Sequence, residues 1–258
     1  MKRRQLIRYG SISLLSAIGS SYVSQASAQT SRDSSGAVTI QYLGHTCFLF
    51  SGNGLNVLLN PFRPAGCTAG YKEIQVEPDL VLISSFLLDE GAVEDVPGNP
   101  QIITEPGDRQ IKGVKFQGIS TPHDREGGRR FGRNIAWKWQ QGGVTILHLG
   151  GAAAPISLEQ KILMGTPDVL LIPVGGGAKA YNPTEAKNAI DTLKPKVVIP
   201  TQYLTSAADS ENCDLVAVDE FLTLSQDLEI KKLGVNRIAI KPSDLPQDKT
   251  VIRVLEYS

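Results

Sequence analysis

Val169-Leu170-Leu171-Ile172-Pro173-Val174 is an apolar run that stops at Gly175-Gly176-Gly177 and opens a strand–helix–strand unit. Residues 184–193 follow with Pro183 before them and Pro195 after them, the start and stop residues of a helix. Val197-Val198-Ile199-Pro200 then returns to strand composition. Just upstream, Ser157-Leu158-Glu159-Gln160-Lys161 opens on a serine N-cap and leads to Met164-Gly165, a second helix. Residues 219–226 predict a third, followed by strands near 237–241 and 251–255. The other half of the chain carries almost no helix signal. Its β-branched runs at 38–43, 46–51, 55–60, 80–84, 101–104, 111–118, 134–140 and 144–149 are each bounded by Gly, Pro, Asn or Asp. Their close spacing predicts antiparallel meanders. A strand-rich half beside a strand–helix half predicts an α/β chain in which two sheets pack face to face with helices outside.

The first residues predict an export signal and stand apart from the fold. Lys2-Arg3-Arg4-Gln5-Leu6-Ile7-Arg8 is a basic opening, a Leu/Ile/Ser/Ala/Gly stretch follows, and Ala26-Ser27-Ala28 is a small-residue cleavage pattern. The arginine pair is similar to a twin-arginine signal. A membrane anchor is the plain alternative, but Ser and Gly break the apolar run short of the roughly 20 residues a span needs. Residues 1–28 are expected to be the signal and 29–258 a single domain in the bacterial periplasm, or in the thylakoid lumen of a photosynthetic source. No stable membrane span is expected after signal removal. Removing Lys2, Arg3, Arg4 and Arg8 from 26 basic residues leaves 22 against 26 acidic ones, a net charge of −4. Such a balance gives no general attraction to nucleic acid or anionic lipid.

Three cysteines are an odd number for an oxidising compartment. Cys47, inside Cys47-Phe48-Leu49-Phe50, has the surroundings of a core thiol. Cys67 and Cys213 sit in loop sequence and could pair; spacing alone leaves this open.

Tyr42-Leu43-Gly44-His45-Thr46-Cys47-Phe48-Leu49, Leu58-Leu59-Asn60-Pro61-Phe62, Glu105-Pro106-Gly107-Asp108 and Leu170 to Gly177, in this order, resemble the metallo-β-lactamase superfamily. So does the strand Pro195-Lys196-Val197-Val198-Ile199-Pro200-Thr201-Gln202-Tyr203. The branch that it resembles holds ascorbate-phosphate lactonase-like and related metal-dependent hydrolases. The resemblance implies an αββα sandwich of two mixed β-sheets with outer helices and a dinuclear zinc site at one edge.

The ligands that the resemblance implies are mostly replaced. In Ser84-Ser85-Phe86-Leu87-Leu88-Asp89-Glu90, where the family carries HxHxDH, Ser85 and Leu87 stand in the first two His positions. Asp89 keeps the Asp and Glu90 takes the next His position. His123 matches a further His, Gly151 stands where an Asp would bridge two metals, Gln202 replaces the last His and Asn60 a nearby Asp. Imidazole is a good zinc donor, whereas leucine offers nothing and serine is a poor substitute. Asp89, Glu90 and the Gln202 carbonyl are hard oxygen donors that suit Mg²⁺, Mn²⁺ or Ca²⁺ better than zinc, with His123 as a further candidate ligand.

Plainer readings stand beside these. Asp89 and Glu90 are also what a helix start after a strand favours. His123, a candidate base or catalytic residue together with Asp89, is equally a histidine bonded to Asp124 or to a carbonyl. His45 supports the fold in the family and His148 lies within a strand. Arg125, Arg129 and Arg130 form a basic stretch directly after His123, which predicts a loop over the centre able to take an anion. Gly175-Gly176-Gly177 could cradle an anion, although a tight turn explains it. No GxSxG, CxxC or HExxH pattern offers other catalytic machinery.

The expectation is an exported protein of this fold that has lost zinc hydrolysis and acts as a binding or assembly factor. Its cofactor content is none, or one weakly held divalent ion, and its partner a small anion or another exported protein. Its candidate site is Ser85, Leu87, Asp89, Glu90, His123 and Gln202. The alternative is a hydrolase of a small anionic ester or lactone with a mononuclear site.

Overall fold

The structure, a computed structural model, describes residues 36–258. The expected signal over residues 1–28 lies outside the described residues.

Five consecutive strands open the described fold: β1 Val38–Gly44, β2 Cys47–Gly52, β3 Leu55–Leu59, β4 Leu80–Leu82 and β5 Gln101–Ile103. They form one sheet with β13 Arg237–Ile240, in the order β13-β1-β2-β3-β4-β5. The second sheet takes β6 Gly107–Ile111, β7 Val114–Pro122, β8 Arg133–Gln141 and β9 Val144–His148. It continues through β10 Val169–Pro173, β11 Val197–Thr201, β12 Glu229–Lys232 and β14 Val251–Val254. Its order is β12-β14-β11-β10-β9-β8-β7-β6. Antiparallel pairs join β1–β2–β3 and β6–β7–β8–β9, while β3–β4–β5 in one sheet and β9, β10, β11 and β14 in the other run parallel. Both sheets are therefore mixed, as the resemblance implied.

Burial explains the two strand signatures. β1 alternates buried and half-buried residues because only one face meets the core. β10 and β11 are buried throughout. One face of each, with Val169, Leu171, Val197 and Ile199, packs with Ile40, Phe48, Phe50 and Trp137 between the sheets. The other face, with Leu170, Ile172 and Val198, packs under the helices. Those helices are α1 Leu158–Met164, α2 Pro183–Leu193 and α3 Val218–Leu224. Ser157 caps α1 and Asn182 caps α2, each accepting a backbone N–H with its side chain. All three lie over the eight-stranded sheet. The outer face of the six-stranded sheet is covered by Phe62, Tyr71, Ile74 and Val96 from irregular segments, where repeated Pro and Gly discourage helix.

The strand expected over 111–118 is a hairpin. Lys112 and Gly113 both adopt positive φ (47° and 80°) and turn β6 into β7. β6 is an edge strand whose Asp108-Arg109-Gln110 is exposed, so no apolar pattern marks it. Cys67 and Cys213 form a disulfide joining two loops across a separation of 146 residues. Cys47 is buried, and burial pushes its thiol well up.

Candidate functional site: a centre filled by ion pairs

The end of β4 leads into the loop where the family would place most of its ligands. Three bonds fix its course: Ser84 N–H to Asn60 Oδ1 (2.8 Å), Ile135 N–H to Ser84 O (2.9 Å) and Trp137 Nε1–H to Ile83 O (2.9 Å). Asn60 thus serves the backbone. Ser85 Oγ accepts the Leu87 N–H, and the exposed side chains of Phe86 and Leu88 point away from the core. Asp89 and Glu90 follow in a turn rather than a helix start, and both face inward.

Glu90 and His123 are each fully buried, with Oε1 and Nε2 2.8 Å apart. Burial works against charge on both. The imidazole nevertheless holds Glu90 below the usual carboxylate range, and the carboxylate raises His123. The contact is close but falls short of hydrogen-bond geometry, and Glu90 Oε2 and His123 Nδ1 have no partner either. Asp124 does not orient His123. Its carboxylate accepts four backbone N–H groups, from Glu126, Gly128, Arg130 and Phe131 at 2.8–2.9 Å, and fastens the arginine loop. Those bonds, Phe131's foremost, pull Asp124 down to about 2.

Asp89 makes a second group. His45 Nε2 stands 3.3 Å from Asp89 Oδ2, and the Lys179 ammonium bonds the same oxygen. Burial raises the Asp89 pKa, but His45 and Lys179 outweigh it and hold the carboxyl far below its usual range. Lys179 was missing from the sequence-derived site. It lies in the loop after β10, beyond the glycine triplet.

Arg125, expected to reach over the centre with a free fork, is committed elsewhere. Its guanidinium grips Glu185 of α2 at 2.7 and 2.6 Å and donates to Gly177 O and Ala180 O, both at 2.9 Å. It thereby ties the Lys179 loop to α2. Arg130 stacks on Phe131 at 4.8 Å, and Arg129 is exposed, 3.9 Å from Glu126. None of the three is held in the centre as an anion receptor.

Gly151 decides whether the inherited metal pair has room. A Cβ there would collide with His123 Nε2 and lie 2.9 Å from Glu90 Oε1. The Glu90–His123 pair occupies the space a bridging Asp would use. Asn134 holds Gly151 in place, accepting its N–H at 2.9 Å and donating to Thr121 and Leu149. Gln202 is buried at positive φ (49°). Its backbone bonds His45 and Gly175, while its side-chain Oε1 has no hydrogen-bond partner. The structure brings Glu90 to His123 and Asp89 to His45 and Lys179. Among the described residues no cluster of three or more His, Cys, Asp or Glu has the geometry to hold a metal. The residues present do not fit the family's zinc pair. Cavities of about 420 and 540 Å³ lie away from the centre, one beside Thr121, Gly128 and Arg133 and the other beside Phe62, Arg63 and Val96.

His148 sits within the core. Its Nδ1 accepts the Gly150 N–H (2.9 Å), so Nε2 carries the proton and donates to Thr46 O (3.1 Å). Burial pushes its pKa down to about 4. A neutral His148 in the fold and a protonatable one in the unfolded chain mean that stability is lost as pH falls from about 6.5 to about 4. The full loss is about 3 kcal/mol. Urea midpoints at pH 7 and pH 4.5 should differ less for His148→Gln than for the wild type; an identical pH dependence contradicts the assignment.

The sequence profile of the beta-lactamase superfamily domain matches residues 39–202, from β1 to the residue that replaces the last histidine. The chain belongs to the metallo-β-lactamase superfamily. A metal-dependent hydrolase of Thermococcus onnurineus is 29% identical over 202 residues, covering 67% of this chain and 89% of that protein. A crystal structure from Thermotoga maritima is similar at 30% identity with a TM-score of 0.66. It covers 85% of this chain and 100% of that one, and its protein is provisionally assigned as a Zn-dependent hydrolase of this superfamily. A metallo hydrolase of Ignicoccus hospitalis shares the fold at 18% identity (TM-score 0.57, 80% and 99% covered). At the positions where the resemblance implied metal ligands, the structure shows the Glu90–His123 and Asp89–Lys179 pairs.

Proposed function

We propose that this protein is an exported metallo-β-lactamase-fold protein that has given up dinuclear zinc hydrolysis and works as a binding or assembly factor. One observation carries the reading: the buried Glu90–His123 pair lies where Gly151 has replaced a bridging carboxylate. Without a metal to acidify water, the usual hydroxide nucleophile has no source. The disulfide between Cys67 and Cys213 supports an oxidising compartment, the periplasm or a thylakoid lumen. The exposed Phe86 and Leu88, on the loop leading to the centre, favour an apolar contact with another exported protein. An anionic ligand has less support, because Arg125 is already paired.

The relatives named as metal-dependent hydrolases favour a second reading, a hydrolase of a small anionic ester or lactone with a mononuclear Mn²⁺ or Mg²⁺ site built on Asp89, Glu90 and Gln202. It requires metal-stimulated turnover that Asp89→Ala abolishes. The two readings separate on the metal content of protein purified without chelator: close to none for the binding factor, one or more ions per chain for the hydrolase.

A further inference from the structure

Two carboxylates remain at the centre, and each has its own cation from the chain. Glu90 faces His123, and Asp89 faces Lys179, with His45 at 3.3 Å from the same oxygen. Lys179 is not a surface lysine that happens to swing toward an acid. Its side chain is 26% exposed and that of Asp89 16%, so solvent screens the pair only partly. The loop that carries it is fastened at several points. Arg125 holds Gly177 O and Ala180 O, and Gly175 N–H bonds Gln202 O. Gly177 sits at positive φ (72°) against the Asp214 carboxylate, which a Cβ at that position would strike at 2.7 Å. This scaffolding delivers one ammonium group to one buried-side carboxylate oxygen.

We propose that the Lys179 ammonium is a tethered cation that stands in for a metal, and that withdrawing it uncovers a divalent-cation site at Asp89 and His45. The inference rests on the reading that the wild-type centre is metal-free. A carboxylate oxygen and an imidazole nitrogen converging 3.3 Å apart are a pair of donors that Mn²⁺ or Zn²⁺ accepts, with water completing the shell. In the wild type both are denied to a metal, because a fixed positive charge already bonds the oxygen and repels a second cation. The exposed portion of Lys179 marks the side from which an ion would enter. Lys179 is thus the specificity determinant of the centre: with it the site is closed to cations, and without it the site takes one.

The test uses the full-length protein, MnCl₂ as probe, titration calorimetry, and thermal melting with and without the metal. Lys179→Met keeps the apolar stem and removes the charge; Lys179→Arg keeps the charge. Lys179→Met is expected to bind one Mn²⁺ per chain at least about tenfold more tightly than the wild type. It should melt higher when Mn²⁺ is added, and lose the gain when Asp89→Asn is added. Lys179→Arg is expected to behave like the wild type, and Lys179→Gln, which also removes the charge, takes the place of the methionine variant if that folds poorly. A folded Lys179→Met that gains no Mn²⁺, or a Lys179→Arg that gains it, overturns the inference while leaving the metal-free reading intact. Wild-type protein that binds Mn²⁺ as tightly as Lys179→Met removes both.

Discussion

Glu90→Ala lowers stability by about 3–5 kcal/mol, which in a domain of this size moves the melting temperature by roughly 10 °C. The reason is the imbalance of a buried ion pair. Removing one partner leaves His123 in a fully buried position with no counter-charge and no hydrogen bond at either ring nitrogen. His123→Ala should cost a similar amount by stranding Glu90. Replacing both, Glu90→Met with His123→Phe, should recover most of the loss, because neither carboxylate oxygen has an aligned donor to give up. Thermal melts of the four proteins form a cycle. Single variants that melt within about 2 °C of the wild type would show that the pair does not fill the centre as described.

Reducing the disulfide is the other large effect. Cys67 and Cys213 close a loop with a separation of 146 residues, and chain-entropy arguments give such a closure about 5 kcal/mol. The Cys67→Ser, Cys213→Ser double variant, and the wild type under reductant, should melt well below the oxidised protein. The loss should be shared: reductant added to the double variant should change nothing further, since Cys47 is buried with its thiol suppressed. A wild type indifferent to reductant would contradict the bridge.

The fold was legible because its strands advertise two kinds of burial. Continuous runs such as Val169 to Val174 become strands covered on both faces, and capped segments after Ser157 and near Pro183 become helices over them. Two edge strands of the eight-stranded sheet escaped. β6 and β12 expose polar side chains, so neither has an apolar period to detect. At the centre the departures from the implied ligand pattern were legible one by one, since each is a change of residue type at a marked position. Their new partners were not. His123 meets Glu90 from another sheet, and nothing local to either residue announces a fully buried carboxylate. The nearness of Arg125 to His123 in sequence suggested a fork over the centre. Its true partner, Glu185, lies 60 residues on, at the start of α2. Lys179 went unseen because the glycine triplet before it reads as a tight turn, and no pattern in the loop beyond it marks a lysine that turns inward. The same loop instead brings a cation to Asp89.

These details bear on one proposed property, a working protein that holds no metal. Elemental analysis of protein purified from its native host, without chelator and without added metal, measures it directly. The ion-pair account predicts far less than one equivalent of zinc, manganese or iron per chain. One or two equivalents, retained through purification and lost with Asp89→Ala, would contradict it.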